Sequence, residues 1–445
     1  MGSIVFLPGI LGSELRLDDE LVWPPTPWEV TTNYGRTGKL LDEKIKAGPP
    51  IASVACFGVY RSLLADLADI ASGAAGAPKR TLQSFGYDWR RDLRDIAADI
   101  VRRIDALPEE DKDEIRFVGH SMGCLVVRLI LESGLYDGRP WFGAVRSFTA
   151  LAGPHKGAPT ALVRVLGLEG TLGLSPADVK RIAADPRYPA LYQLLPAPDV
   201  TALVDARGDR MTRLDIYDAV IATRAGLAAA NLAKAQEVHA ILAADRRPDH
   251  VDYRYLGGSG NDTWLRVDLF GDQMTPRKGP ETGDGTVPLW SAIDPRSSHH
   301  AAPGTHEKVF QNEQLRTLMY FSLGARPAAR AFANVDSVPL LSLFVTHPVV
   351  GIGVPVELTL VPARPTGKIV GELLIEYTRS ADAVFRPFDK RTLSYDGEPL
   401  ELQRLLLTGL NEAGIYRVTF SGSHAMAEGG EAVCAVSESG GVRRG

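Results

Sequence analysis

Apolar residues recur along this chain with two different periods, and the switch between them divides it. From Val59 to Ile70, Leu63, Leu64, Leu67 and Ile70 fall at helical intervals. From Asp92 to Leu107, Ile96, Ile100, Val101 and Ile104 share one face, with Arg and Asp opposite. Ser3 to Pro8, Thr81 to Asp88, Ile115 to Val118 and residues 144–151 read as strands, the third a short apolar run suited to a buried parallel sheet. A helix over 122–132, carrying Leu125, Val126, Leu129 and Ile130, completes a β-α-β-α-β series. The predicted fold class is therefore α/β, a parallel sheet covered by helices on both faces.

Residues 155–250 break the rhythm. Leu162 to Leu174 is apolar and glycine-containing, and Arg224 to Leu242 reads as an alanine-rich helix, so the segment is expected to be a cap inserted into the sheet domain. Val251 to Gly258 resumes the sheet, and Lys308 to Leu323 closes it with a final helix. Residues 15–56 show no clear period. Their prolines and tryptophans, from Trp23-Pro24-Pro25-Thr26-Pro27-Trp28 to Pro49-Pro50, suggest a surface excursion, and long excursions in compact domains are usually functional. After Ala328 strict alternation takes over, as in Val356, Leu358 and Leu360 or Tyr416, Val418 and Phe420. About seven strands fit there. Leu410, ahead of Tyr416, suits the tyrosine corner of an immunoglobulin-like sandwich. The expected division is an α/β domain over 1–328 and an all-β sandwich over 335–445.

Composition narrows the function classes. At 445 residues the chain is long for one core, and its 45% hydrophobic and 23% charged content excludes gross disorder. No apolar run reaches the roughly 18 residues that would span a bilayer. The net charge of -5, with Lys and Arg scattered, leaves no electrostatic footprint for nucleic acid. The N-terminus enters a strand-like run without the basic region and cleavage site of an export signal. Gly2 is not a myristoylation site, because Phe6 stands where that motif needs Ser or Thr. Cys56, Cys124 and Cys434 lack metal-ligand spacing and suit a reducing compartment. The expectation is a cytoplasmic protein needing neither metal nor cofactor.

The candidate chemistry centres on Gly119-His120-Ser121-Met122-Gly123, between a strand and a helix. This Gly-x-Ser-x-Gly setting is a nucleophile elbow, where a sharp turn exposes the serine and both flanking positions need glycine for close strand-helix packing. A serine hydroxyl needs a base, and the base needs a carboxylate to hold its tautomer; in α/β-hydrolases these follow in the order Ser, Asp or Glu, His. Asp284, in Gly283-Asp284-Gly285-Thr286-Val287-Pro288, is the predicted acid, with Asp262, Asp272 and Asp294 as alternatives. His306, in Pro303-Gly304-Thr305-His306, is the predicted base, with the loop residues His299 and His300 as alternatives. His155 is expected to order a turn or cap hinge, and His120 to pack beside the nucleophile. The oxyanion donors should be the backbone N–H of Met122 and that of Ile10, or failing that Leu11, in the turn Gly9-Ile10-Leu11-Gly12.

Five runs in register, Phe6-Leu7-Pro8-Gly9-Ile10-Leu11-Gly12-Ser13, Tyr87-Asp88-Trp89-Arg90, the elbow, Leu191-Tyr192-Gln193-Leu194-Leu195-Pro196 and Gly283-Asp284-Gly285-Thr286-Val287, resemble the lecithin:cholesterol acyltransferase and lysosomal phospholipase A2 family. The resemblance covers residues 1 to about 325 and places the family's triad on Ser121, Asp284 and His306, the last in a similar His-x-x-Val-Phe setting. It implies cleavage of a lipid acyl ester through an acyl-serine, with water or an alcohol as acceptor. It also implies that residues 15–56, with Trp23 and Trp28, form a lid in peripheral contact with membrane. The chain departs from the secreted members, since Cys56 has no cysteine partner in that region, and Ile10 stands where the lysosomal enzyme has an acidic residue. The sandwich lies outside the resemblance and is expected to serve as a contact surface for a protein partner. A general carboxylesterase and an inactive, binding-only hydrolase scaffold are the competing readings.

Overall fold

The structure, a computed structural model, describes residues 2–26, 29–30, 33–52, 60–207, 211–294, 296–326, 341–345, 349–362, 366–379, 385–400, 402–422 and 431–437. It separates into two compact units. The first takes in the chain up to Pro24, Arg36–Ala52 and the chain on to Arg326; the second takes in the all-β C-terminal part.

Six parallel strands form the main sheet of the first unit, in the order Ser298–Pro303, Asp252–Ser259, Val145–Leu151, Ile115–His120, Gly2–Leu7, Arg80–Ser84. All six residues of Gly2–Leu7 are buried, as a central strand covered on both faces requires. On one face Ile4, Phe6, Val118 and Leu256 share a core with the helices Arg61–Ser72 and Glu313–Ser322. On the helix Met122–Glu132 every residue is buried, because Leu93–Asp105 and Ala229–Ala243 pack against it. This is the α/β-hydrolase fold.

Several elements differ from the sequence expectation. Residues 13–50 are not a featureless excursion: Glu20–Trp23, Ser13–Leu17 and Lys46–Pro50 pair as a small sheet in that order. His299 and His300 sit on a sixth strand, Ser298–Pro303, paired with Asp252–Ser259, rather than in a loop. The alanine-rich helix is two helices, Ala219–Ala225 and Ala229–Ala243, because Gly226 ends the first in a left-handed conformation (φ 69°). The closing helix is also split. His306–Gln311 is a 3-10 turn, and Asn312 then caps Glu313–Ser322 through bonds from the amides of Gln314 and Leu315. A second sheet, in the order Gln273–Gly283, Asn261–Phe270, Leu203–Asp205, Thr212–Leu214, has a long hairpin that delivers the chain to Asp284.

The second unit has eight strands among its described residues, one more than expected. Three, Leu341–Val345, Val356–Pro362 and Gln403–Leu407, form one sheet, and five form the other. Leu358 and Leu360 of the first share a core with Ile375, Val418 and Phe420 of the second, as in a sandwich. Tyr416 Oη donates to the Glu412 carbonyl at 3.0 Å, the contact that defines a tyrosine corner. The sandwich's expected limits, 335 and 445, lie outside the described residues. No helix among the described residues is long and apolar enough to cross a membrane.

Candidate active site

At the end of the strand Ile115–His120 the chain reverses into a helix within one residue. Ser121 makes that turn with φ 52° and ψ -124°, a conformation that costs a non-glycine residue about 1–3 kcal/mol. The flanking glycines show why the turn holds. A Cβ on Gly123 would lie 2.4 Å from the Leu7 carbonyl oxygen, and one on Gly119 would lie 2.9 Å from the Cys124 amide nitrogen. The Ser121 amide donates to Leu151 O at 2.9 Å, tying the turn to the neighbouring strand.

His306 Nε2 lies 2.9 Å from Ser121 Oγ, and His306 Nδ1 lies 2.8 Å from Asp284 Oδ2. A carboxylate only accepts, so Nδ1 carries the proton and Nε2 is free to accept from the serine hydroxyl. Asp284 is aimed by its own loop: Oδ1 accepts from the amides of Thr286 (2.9 Å) and Val287 (2.7 Å), leaving Oδ2 for the imidazole. The His306 amide donates to the Asp284 carbonyl at 2.9 Å, so the two loops are also joined main chain to main chain. All three side chains are buried. Burial works to lower the His306 pKa, but the charge and hydrogen bond of Asp284 outweigh it and the net shift is upward.

The alternative residues are engaged elsewhere. Asp294 pairs with Arg247 and Arg296, Asp262 accepts from the Glu281 amide, and Asp272 lies in the turn joining Asn261–Phe270 to Gln273–Gly283. His299 is exposed, with Nδ1 2.8 Å from Ser297 O, and His300 is exposed too. His155 is buried at the end of the strand Val145–Leu151, its ring edge-on to Tyr255. Cys124 is buried under the elbow, and burial pushes its thiol pKa up, away from reactivity.

The turn after the first strand lies against Ser121. A Cβ on Gly9 would be 2.8 Å from Ser121 Cβ and 3.3 Å from its Oγ. The Met122 amide belongs to the first turn of its helix, where no intrahelical acceptor exists. Ile10 and Leu11 have amides without a hydrogen-bond partner among the described residues, and Leu11 adopts φ 64°. Trp23, expected on a membrane-touching lid, is fully buried: its Nε1 donates to Leu11 O at 2.8 Å and its ring packs edge-on to Trp89 at 5.4 Å. Trp28 lies outside the described residues.

Sequence reasoning missed the side chains that hold the turn. Tyr87 Oη donates to the Pro8 carbonyl, and the Gly9 amide donates to Tyr60 Oη at 2.8 Å. Tyr87 was visible as the head of the Tyr87-Asp88-Trp89-Arg90 tetrad, but its role was not. In the same tetrad Arg90 pairs with Asp88 at 2.7 Å. Trp89 and Arg90 join Ile10, Leu11, Arg164, Leu174, Val179, Ile182 and Leu191 around a narrow pocket of about 50 Å³ with a mainly apolar lining. No cluster of metal-binding side chains occurs among the described residues.

Residues 58–207, which include the elbow, match the family model of lecithin:cholesterol acyltransferase. No curated protein sequence matches the chain. Among solved structures the Tle4-Tli4 complex matches at 14% identity and a TM-score of 0.51, over 71% of this chain and 96% of that one. A gene product of Listeria innocua, lin2722, matches at 11% identity and a TM-score of 0.30, over 72% of this chain and 93% of that one. At such identities the likeness to the first is one of fold.

Proposed function

We propose that this chain, similar over residues 58–207 to the lecithin:cholesterol acyltransferase family, is a serine esterase acting on lipid acyl esters. The family match supports a lipid ester hydrolase or acyltransferase in general. The observation that carries the finer reading is the row Ser121 Oγ, His306 Nε2 at 2.9 Å, His306 Nδ1, Asp284 Oδ2 at 2.8 Å.

In the proposed reaction His306 Nε2 takes the Ser121 proton as Oγ attacks the ester carbonyl, and Asp284 stabilises the imidazolium that forms. The Met122 and Ile10 amides receive the oxyanion, with Leu11 as the other candidate in the turn. Collapse expels the alcohol, which takes the proton from His306 and leaves an acyl-serine. Water or a second alcohol, deprotonated by the same imidazole, then releases the acyl group. None of these steps calls on a metal or cofactor.

The apolar lining beside the donor turn favours an acyl chain over a polar acid. Its narrowness favours a second reading, hydrolysis of short soluble esters. A chain-length series separates the two, since activity confined to short esters sinks the lipid reading. The direct test incubates mixed phospholipid vesicles with wild type and Ser121→Ala, with and without an added alcohol, and identifies products by mass spectrometry. Serine-dependent fatty acid, or its ester with the added alcohol, supports the proposal. If a fluorophosphonate fails to label Ser121 in folded protein, the binding-only scaffold takes its place. We further propose that the all-β unit is an immunoglobulin-like module that docks a protein partner. Unchanged partner binding, membrane association and activity after its removal would discard that role. Cytoplasmic residence with peripheral membrane contact is part of the same reading, and fractionation of cells expressing the tagged chain tests it.

A further inference from the structure

Between the oxyanion turn and the base runs a chain of hydrogen bonds that the triad does not use. His120 Nε2 lies 3.0 Å from the His306 carbonyl oxygen. A carbonyl only accepts, so Nε2 carries the proton and, in a neutral ring, Nδ1 is the acceptor. Tyr60 Oη lies 2.8 Å from that Nδ1 and must therefore donate to it. The Gly9 amide at 2.8 Å then donates to the remaining lone pair of the same oxygen. Every bond has one allowed direction: Gly9 N–H to Tyr60 O–H to His120 Nδ1, and His120 Nε2–H to His306 O.

The surroundings keep this polarity fixed. Burial, reinforced by the neighbouring His306, pushes the His120 pKa down to about 3, so the ring stays neutral wherever the enzyme works. Burial likewise pushes the Tyr60 hydroxyl pKa up, so it keeps its proton. The Tyr60 ring meets His120 edge-on at 5.5 Å and Phe6 edge-on at 5.2 Å, and Phe310 closes on His120 from a third side at 5.7 Å. Both rings are buried.

We infer that Tyr60 and His120 are positioning residues that lock the oxyanion turn and the main chain of the base into one unit. The inference rests on the triad reading above. It has a specific content at the turn: the amide of Gly9, the first residue of the turn and packed against Ser121, is withdrawn from the oxyanion by Tyr60. The donor presented to substrate is the next one, Ile10 or Leu11. At the other end, His120 fixes the carbonyl of His306 while Asp284 fixes its imidazole, so the base is held through both its backbone and its side chain.

The test uses hydrolysis of p-nitrophenyl butyrate and the rate of Ser121 labelling by a fluorophosphonate, on the full chain. Tyr60→Phe keeps the ring but leaves the Gly9 amide unpaired and is expected to lower kcat by roughly 10–100-fold. KM should change by less than about twofold, because the change touches the transition state rather than the ester in its ground state. His120→Phe should do the same, while His120→Gln, whose amide can both donate and accept, should recover most of the rate. The double variant Tyr60→Phe/His120→Phe should be no slower than the slower single, since one chain is broken once. Losses that multiply in the double variant, or a Tyr60→Phe enzyme within about twofold of wild type, overturn the inference while leaving the triad intact. If wild type is not labelled at all, the triad reading fails and the inference falls with it.

Discussion

The elbow and the loops that face it solve the same positional problem in opposite ways. At Gly119 to Gly123 geometry is enforced by main chain against main chain: Ser121 stands at positive φ and a Cβ on Gly123 would meet Leu7 O at 2.4 Å, so the segment has one place to go. The turn Pro8 to Gly12 and the loops carrying Asp284 and His306 have local constraints too, Leu11 at φ 64° and Asp284 Oδ1 on the Thr286 and Val287 amides, but their places around Ser121 are set by side chains from elsewhere. They are held by Tyr60, Tyr87, Trp23 and one another across long sequence separations. The elbow is fixed by main-chain packing and the other half is assembled through side chains, so the two halves should fail differently.

The largest effect is expected in the assembled half. Asp284→Asn preserves volume and packing but cannot hold the His306 tautomer, and kcat should fall on the order of 10⁴-fold with little change in stability. Its pH profile sharpens the point. The proposed reaction needs a neutral His306 imidazole, so the acid limb of kcat/KM in wild type should lie above the ordinary 6.5. In the variant the upward push is gone, burial dominates, and the limb should move to lower pH.

Next comes the elbow. Gly123→Ala should lower both kcat, by roughly 100-fold or more, and thermal stability, by about 1–3 kcal/mol, because its Cβ can be admitted only by parting strand and helix. If calorimetry finds that Gly123→Ala melts like wild type, the elbow is less constrained than its contacts state and the contrast breaks. Trp23→Phe removes one donor from Leu11 O and should cost about fivefold in kcat, with labelling of Ser121 slowed to the same extent.

The smallest effect concerns acid stability. His120 is buried and neutral, with its folded pKa depressed to about 3. Between the ordinary His pKa and that value the unfolded chain binds a proton that the folded chain refuses, so stability should fall as pH drops from about 6.5 toward 3. Denaturant melts across this window should show a shallower slope for His120→Gln than for wild type. Equal slopes would mean that His120 is not held neutral.

What could be read in the sequence follows the same division. The elbow was legible because its glycines, apolar strand and helix are contiguous, and the helix 122–132 appears with the expected bounds. Asp284 and His306 were legible through chain order and tight glycine turns, although not the strand that carries His299 and His300, whose polar face mimics a loop. Tyr60 was invisible: it stands just before the helix Arg61–Ser72 and acts on Gly9, fifty-one positions away, through an oxygen that no periodicity reports. Trp23 was misplaced for a related reason. Proline-rich surroundings suggest exposure, but burial was decided by the single acceptor at Leu11 and the face of Trp89.

Strand pairing has one further consequence. Leu7 lies opposite Gly119 in the parallel register of Gly2–Leu7 and Ile115–His120, so the turn at Gly9 and the turn at Ser121 leave the sheet side by side. Their separation is thereby set by the spacing of hydrogen-bonded strands, about 4.8 Å, a ruler that no loop insertion can stretch. The second sheet, the small sheet Glu20–Trp23, Ser13–Leu17 and Lys46–Pro50, and the C-terminal unit can accumulate change without rescaling that distance. Diversification of such a molecule is channelled into what reaches the serine, not into what the serine does.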